Sequence, residues 1–591
     1  MPGLFGIFES KKYVFSEHVF GALKSNMPSN AGRYFGQEVN EDKIKASSCD
    51  LNTINLDGSH FANTKLYIWV HGEAYNLDYV CQQNDLSNIS FCELLDYAYQ
   101  SNNLRDVLAQ IDGYYCAVIF DRITCRTHLI SDRLGTRMLY WRLTENGISW
   151  CSHMTPLFKA DYTNFTLNTK AIDSFLNIGF LVEEQTWFKH IKLIRPSTIL
   201  SFDPEKNRLK EERYWSWSCI RPKQISFDDA VNELGRLFIN AVSRRFNTSE
   251  NIGVSLSGGL DSRAILAAII KLEPDYNGVA YTFGIKGSQD EEIAKQVISK
   301  TGWRHVCFHV DKTNWLDRRL EAVPRTDGML DLQHMHGIEF SDQIKELVDI
   351  NMNGYLGDMV LGGQALTKRV FDTRINIENA KQYYKNQVDQ CDLNFDFYNF
   401  NKIEAHLYIN RVRRFTNMGT VNQLDYIEQR KPFIDNELLE FVFSLPDKYR
   451  YKNQLYSKML VRFFPTLFRD IRWQSTGHNL TTNRYLYGYQ IFKQRAQKKL
   501  RPYCPKLFNN SEYTDYASWI REEESFRKIS SVLSKSSPVK YLIQMDGLTP
   551  LEHLSEHCLN GKNNSDFVLR ALTLQQYFHD IYSDLQSPSK F

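Results

Sequence analysis

Apolar and polar positions alternate with period two through much of the first 212 residues. The runs are Leu66-Tyr-Ile-Trp-Val70, Tyr114-Tyr-Cys-Ala-Val-Ile-Phe120, His128-Leu-Ile130, Met138-Leu-Tyr-Trp141, Ile148-Ser-Trp-Cys151 and Thr198-Ile-Leu-Ser-Phe202. Asp112-Gly113 and Asn146-Gly147 stand between them as turn signals. The pattern predicts a β-rich domain built from hairpins. Helical stretches in 85–109 make it a layered α+β unit. Over 228–246 the period changes: Val231, Leu234, Leu237, Phe238, Ala241 and Val242 form one helical stripe. Apolar strands follow at 252–256, 278–283, 306–310 and 348–352, with helix-length gaps between them, including 290–300. Strands alternating with helices predict a parallel, doubly wound sheet. Its ligands bind beyond the carboxyl ends of the strands, where the loops at 257, 284 and 353 converge. Past about residue 370 helical patterns dominate, at 438–445, 455–464, 485–500, 516–533 and 567–585. The expected domains are 1–212, 213–480 and a helical extension, 481–591.

The chain turns on Ile252-Gly-Val-Ser-Leu-Ser-Gly-Gly-Leu-Asp-Ser-Arg263. A strand runs into Ser257-Gly258-Gly259, and Leu260-Asp261-Ser262 opens a helix. Unpaired N–H groups and the positive end of the helix dipole converge there, which suits an anion. The glycines let the backbone approach phosphate, and the serines add hydroxyl donors. Asp261 repels phosphate; beside one it most simply holds Mg²⁺. The G-x-x-x-x-G-K-[ST] pattern and its lysine are missing. The six residues 257–262 resemble the pyrophosphate loop of the ATP pyrophosphatases, which cleave ATP between its α- and β-phosphates.

Composition narrows the setting. The 591 residues carry a net charge of +2, so nothing draws the chain to nucleic acid or membrane. The eleven cysteines form no C-x-x-C pair, which argues for a reducing compartment and against a zinc site or disulfide framework. No apolar run is long enough to span a membrane and no signal-peptide pattern opens the chain, so a cytoplasmic location is expected. The stretch Lys493-Gln-Arg-Ala-Gln-Lys-Lys-Leu-Arg501 is basic, either a solvated helix face or a contact for a membrane surface or polyanionic carrier.

Further stretches resemble the asparagine synthetase family, in order, over about residues 1–480. That family's M-C-x-x-F-G stands here as Met1-Pro2-Gly3-Leu4-Phe5-Gly6, and its N-G-E-x-Y-N as His71-Gly72-Glu73-Ala74-Tyr75-Asn76. Its R-D-x-x-G-x-x-P-L-Y is matched by Asp132-Arg-Leu-Gly135 and Met138-Leu-Tyr140. Its linker is matched by Phe188-Lys-His-Ile-Lys-Leu-Ile-Arg-Pro196 and Tyr214-Trp215. After the loop come Tyr281-Thr-Phe-Gly284, Ser288-Gln-Asp-Glu291, Asn353-Gly-Tyr-Leu-Gly-Asp-Met-Val-Leu-Gly-Gly363 and Glu428-Gln-Arg-Lys-Pro-Phe-Ile-Asp435. The resemblance implies an N-terminal-nucleophile glutaminase sandwich followed by an ATP pyrophosphatase domain. In such a protein a carboxylate attacks the α-phosphorus of ATP, and an amine then displaces AMP. The implied cofactors are ATP and Mg²⁺. The implied partners are a small-molecule or peptide carboxylate and an amine, and family members often dimerise.

Carried over position by position, Ser257, Gly258, Gly259, Leu260 and Ser262 hold the pyrophosphate. Leu256 and Phe283 contact the adenosine, and Asn353 and Gly354 lie beside the ribose and α-phosphate. Asp261 and Asp358 match the Mg²⁺ carboxylates; Asp358 as a helix N-cap is the alternative. Asp290 either shapes the loop or caps a helix, and Arg430 is either a substrate-side cation or, more simply, a structural ion-pair residue. Tyr355 matches the tyrosine of the β-lactam-forming relatives, which helps deprotonate the attacking amine; a packed loop tyrosine is the alternative. Asp389, Asp392 and Asp396 are candidates for its partner carboxylate.

The departures are specific. A thiolate is the nucleophile that opens glutamine, and Pro2 has none. The family's oxyanion-hole asparagine is His71. The N-terminal domain is therefore expected to lack glutaminase activity, as in the β-lactam synthetase, carbapenam synthetase and lasso-peptide cyclase branches. The family's catalytic lysine is replaced at Thr476; either another cation such as Lys458, Arg462 or Arg472 substitutes, Lys458 being the expected one, or the second half-reaction differs. The reading is an AMP-forming amide ligase. Alternatives are a tailoring ligase acting on a sugar acid or peptide, and a nucleotide-binding scaffold without turnover.

Overall fold

The structure, a computed structural model, describes residues 2–10, 14–27, 33–51, 59–145, 147–161, 165–367, 384, 403–481, 513–560 and 562–586. The helix expected at 485–500, the basic stretch 493–501 and the aspartates 389, 392 and 396 lie outside the described residues.

The first part of the chain forms two antiparallel sheets, one seven-stranded and one six-stranded. Gly3–Glu9 lies inside the first, paired with Gly147–Cys151 on one side and Ile44–Leu51 on the other. Every residue of Gly3–Glu9 is buried. Leu4 and Phe8 face the core between the sheets, together with Trp69, Val118, Leu129 and Trp150. Phe5 and Ile7 face the opposite way, into a core shared with Trp187 and Phe578. A strand covered on both faces reads as a continuous apolar run rather than an alternation, which is why its period is silent. In the second sheet Leu66–Ala74 pairs with Gly113–Asp121. The outer face of that pair packs on the helix Phe91–Gln100, whose start is fixed by a Ser90/Glu93 capping box.

The second unit is a five-stranded sheet, all parallel, in the order Arg304–His309, Val279–Gly284, Ile252–Ser255, Ile350–Met352, Glu428–Arg430. Numbered along the chain that order is 3-2-1-4-5. It reverses at Ile252–Ser255, so a crevice opens between the carboxyl ends of this strand and Ile350–Met352. The amphipathic helix Phe227–Ser243 buries Val231, Leu234, Phe238 and Val242 in the adjoining core. Glu428–Arg430 has no apolar pattern; pairing with Ile350–Met352 makes it a strand. A π-helix, Tyr408–Thr416, went unread in the sequence. Its Arg413 guanidinium donates to the carbonyls of Gly135 (2.7 Å) and Ile194 (2.6 Å), which ties it to the sandwich.

The last helices are not an appendage. Ser565–Gln586 buries Leu569, Leu572, Tyr577 and Phe578 in the same core as Trp187, Leu330 and Leu332. The Thr573 hydroxyl accepts the Leu332 amide (3.1 Å).

Candidate active site

Loop 257–262 is held from below. The Gly258 amide donates to Asp290 Oδ1 (2.7 Å), and Gln474 Nε2 donates to Asp290 Oδ2 (2.9 Å). Ser288, not Asp290, caps the following helix, so Asp290 is a loop brace. The amide of Ser257 donates to Ser262 Oγ (3.1 Å), and that of Gly259 to Ser257 Oγ (3.2 Å). The two hydroxyls lie 3.3 Å apart, and both serines line the crevice.

Asp261 opens the helix Asp261–Leu272. Its carboxylate accepts the amide of Asp358 (2.9 Å) and the hydroxyl of Tyr456 (3.1 Å). Close approach is possible because residue 357 is glycine: a Cβ there would lie 2.3 Å from the Asp261 carboxyl carbon. Leu356, just before it, adopts a left-handed φ of 69°, a strained conformation for a branched residue. Asp358 lies inside the short helix Gly357–Val360, whose cap position is Leu356, so the N-cap alternative falls away. Burial, then the charge of Asp358, push Asp261 far above the usual carboxylate range, and burial raises Asp358 as well. Two acids in this state are not both ionised unless a cation joins them.

The crevice is a cavity of about 430 Å³. Ser257, Gly259, Leu260, Asp261 and Ser262 line one side, Asn353, Gly354, Tyr355 and Asp358 another, and Phe283 a third. Leu256 and Gly258 are buried behind this wall. The Leu256 amide donates to Tyr281 O (2.8 Å) and its carbonyl accepts Thr282 Oγ1 (2.7 Å), so neither backbone group faces the cavity unengaged. Asn353 and Asn351 both donate to Gln429 Oε1 (2.8 and 2.9 Å), which locks the floor.

Tyr355 is buried. Its hydroxyl donates to the Val412 carbonyl (3.3 Å), and its ring lies under Lys431 Nζ (5.0 Å to the centroid). No described carboxylate shares that hydroxyl, and burial raises it far above the ordinary phenol value. The packed-tyrosine alternative fits this geometry.

Lys458 is the cation expected to stand in for the family lysine. That residue is exposed and does not line the cavity. It sits two positions after Tyr456 on the helix Gln454–Phe463, about 200° around the axis from the side chain that reaches Asp261. Arg462 is spent on Asp228 (2.7 Å) and Arg472 on Glu292 (2.7 Å). Arg263, unassigned in the sequence, lies fully buried beneath the loop. It donates to the carbonyls of Gly258 (3.2 Å), Ile471 (3.3 Å) and Arg472 (3.0 Å). Burial lowers it only to about 10, so it stays charged at neutral pH. Its apolar helical setting, Arg263-Ala-Ile-Leu, was the one sequence signal for it.

Another wall was missed entirely. His334 and His336 line the cavity with Thr416, Gly419, Thr420 and Gln423. Tyr513, from the C-terminal extension, packs tilted against Phe283 (5.9 Å between ring centroids) and edge-on to His336 (5.3 Å). These residues match no motif, and only the fold brings them together.

Arg430 is structural. It donates to Glu73 Oε1 (2.6 Å) and Oε2 (3.0 Å) and to Glu250 Oε1 (2.8 Å), bridging the sandwich and the parallel sheet. Pro2 is buried. His71 is buried with Nδ1 3.6 Å from Asp50, and burial holds its pKa below the ordinary histidine value.

Comparison with known proteins gives two domain matches, a glutamine amidotransferase domain over residues 1–215 and asparagine synthase over 233–392. A protein of Acanthamoeba polyphaga mimivirus named "Probable asparagine synthetase" (glutamine-hydrolyzing) is 23% identical over 418 residues, 68% of this chain and 69% of its own. Asparagine synthetase (glutamine-hydrolyzing) 3 of Bacillus subtilis is 23% identical over 428 residues, 64% of this chain and 69% of its own. Both domain types occur here in the order the sequence motifs gave, on a sandwich followed by a parallel sheet, and the chain belongs to the asparagine synthetase family.

Proposed function

We propose that this chain is an ATP-dependent carbon–nitrogen ligase that adenylates a carboxylate, releases pyrophosphate and passes the acyl group to an amine, without hydrolysing glutamine itself. The observation that carries the reading is the contact between Asp261 and the Asp358 amide, at the reversal point of the sheet and beside the loop 257–262. The two acids fit Mg²⁺: burial and then the charge of Asp358 raise Asp261, burial raises Asp358, and one or two carboxylates plus phosphate oxygens is how proteins hold this ion. Bound there, Mg²⁺ would neutralise charge on the β- and γ-phosphates.

The protein's own groups do the rest. The hydroxyls of Ser257 and Ser262 offer donors to the departing pyrophosphate, Gly259 borders it, and the helix Asp261–Leu272 points its positive end at it. Arg263 adds a buried positive charge beneath the loop without touching the cavity. That charge favours the more anionic transition state electrostatically. Phe283 and Gly354 border the space for adenosine and ribose. In the sandwich, Pro2 and His71 stand where a glutaminase would carry its thiol and its oxyanion donor, so ammonia or another amine serves as acceptor.

The test is exchange of labelled pyrophosphate into ATP. The purified chain with Mg²⁺, L-aspartate and a panel of amino, hydroxy and sugar acids should exchange with at least one acid. It should form AMP rather than ADP when ammonium is added. Exchange with none of them refutes the ligase reading and leaves a nucleotide-binding scaffold.

A further inference from the structure

We propose that His334 is the base that takes the proton from the attacking amine, with Asp331 holding its ring in the competent tautomer; this rests on the ligase reading above.

The site is built from one tight turn. Asp331 starts the turn Leu332–His334, and its Oδ1 accepts the His334 amide (3.2 Å). The same oxygen meets His334 Nδ1 at 2.6 Å. Asp331 is 2% exposed. Burial alone would raise its carboxyl, yet the charge of protonated His334, its hydrogen bonds and Arg570 hold it below the usual range; with the ring neutral, the hydrogen bonds from the His334 ring and amide and the Arg570 guanidinium remain. It is therefore an ionised acceptor, and the proton between the two groups belongs on Nδ1. That leaves Nε2, across the ring, with a free lone pair. The ring stands edge-on to Phe415 (4.6 Å), and the side chain is 33% exposed. Nε2 has no hydrogen bond among the described residues, and the residue lines the cavity that also holds Ser257, Asp261 and Asp358.

The other lining groups are unsuited to the task. Tyr355 spends its hydroxyl on the Val412 carbonyl. The Asp261 carboxylate is engaged by the Asp358 amide and the Tyr456 hydroxyl, and both acids are assigned above to Mg²⁺. His336, whose ring is 6.0 Å from His334, is pushed down to about 3 by burial and then by Arg319, so it is neutral and too weak a base.

The turn is buttressed from outside the family's motifs. Arg319 Nη1 donates to the Leu332 carbonyl (2.6 Å). From the C-terminal helix, Thr573 accepts the Leu332 amide (3.1 Å), and Arg570 Nε lies 3.8 Å from Asp331 Oδ2. The extension that had no assigned role thus fixes the carboxylate that fixes the histidine. In the step itself, the amine nitrogen bonds to the acyl carbon while its proton passes to Nε2. The acyl–oxygen bond to AMP breaks, its electron pair leaves with AMP, and the proton then goes to water.

The experiment uses the full chain with Mg²⁺-ATP, the acid that supports pyrophosphate exchange, and ammonium. His334→Gln should keep exchange within about twofold and lose about a hundredfold or more in amide formation, the usual scale of a general base. Hydroxylamine, which is unprotonated at neutral pH, should still be acylated by that variant. Asp331→Asn should lower kcat for amide formation with KM for the acid little changed. Its ¹⁵N-labelled histidine spectrum should show the His334 proton moved from Nδ1 to Nε2. Wild-type amide formation by His334→Gln overturns the inference, and so does equal loss of exchange and amide formation. If the wild-type chain exchanges nothing, the ligase reading fails and the spectrum decides: a wild-type ring protonated at Nε2 overturns the tautomer assignment too, and one protonated at Nδ1 supports it.

Discussion

The amide of Asp358 donates to the carboxylate of Asp261 across 2.9 Å, joining two loops 97 residues apart in the chain. Each loop follows one of the two strands at which the sheet order reverses, so the contact is a consequence of topology rather than of local sequence. Gly357 makes it possible, since any side chain there would occupy the space of the Asp261 carboxyl.

That contact sets a trade between stability and activity. The folded-state pKa of Asp261 is above its unfolded value, so the folded chain holds a proton that the unfolded chain releases. Stability therefore falls as pH rises from the ordinary carboxylate value toward the folded one, and the full penalty is present above it. Asp261→Asn removes the penalty. At pH 7, without metal or nucleotide, the variant should melt above wild type. With Mg²⁺-ATP the order should reverse, because only the wild type gains from binding. Pyrophosphate exchange should be lost in Asp261→Asn and in Asp358→Asn. Differential scanning fluorimetry of both proteins with and without Mg²⁺-ATP checks the first claim, and an Asp261→Asn chain less stable than wild type in both conditions would refute it.

The Arg430 clamp makes a separate claim. Its guanidinium is buried between Glu73 of the sandwich and Glu250 of the sheet domain. Removing one partner of a buried pair costs about 3–5 kcal/mol, because the carboxylates left behind are uncompensated. Arg430→Met should therefore destabilise the chain on that scale, and Arg430→Lys should recover only part of it, since an ammonium cannot fork to two carboxylates. Denaturant midpoints and limited proteolysis measure this. Pyrophosphate exchange per folded molecule should stay close to wild type, which separates a clamp from a substrate-side cation.

These residues also show where the sequence was legible. Loop 257–262 declared itself because glycine, serine and acid between a strand and a helix have few other uses. The sandwich was read from its alternating strands but not from Gly3–Glu9, whose two faces are both buried. Glu428–Arg430 was invisible as a strand because its order comes from a neighbour. The same limit hid His334, Arg263 and Arg570. The chemistry of each depends on groups that adjoin it only after folding, such as the Asp331 carboxylate, the Gly258 carbonyl and the Leu176 carbonyl. Lys458 shows the same limit: only the fold places it on the exposed side of its helix, about 200° from Tyr456.

The sandwich gives a prediction about nitrogen source. Ammonium should support amide formation and glutamine should not, with glutamate release no faster than in buffer. Pro2→Cys alone should not restore it, because His71 is buried, held neutral chiefly by that burial, and stands in place of an amide donor. Measurable glutamate release from the unaltered chain would show that a different nucleophile has taken over.

Lys431 is the most exposed of these claims to a direct measurement of pH. Its ammonium is buried, donates to Asn417 Oδ1 (2.8 Å), and lies over the rings of Tyr114 (5.6 Å) and Tyr355 (5.0 Å). Burial, and then the charge of Arg137, lower its pKa from 10.5 to about 7, although Glu428 and Asp132 pull the other way. Between those values the unfolded chain binds a proton that the folded chain does not. Wild-type stability should therefore rise with pH across that window, by up to about 1.4 kcal/mol per unit from this group. Lys431→Met removes the titration and keeps most of the volume. Its advantage over wild type should be largest near pH 6 and should shrink toward pH 10, as read from denaturant midpoints measured in parallel. A constant difference between the two proteins across that range would mean that Lys431 keeps its proton in the folded chain, held by Glu428 and Asp132 against the cost of burial.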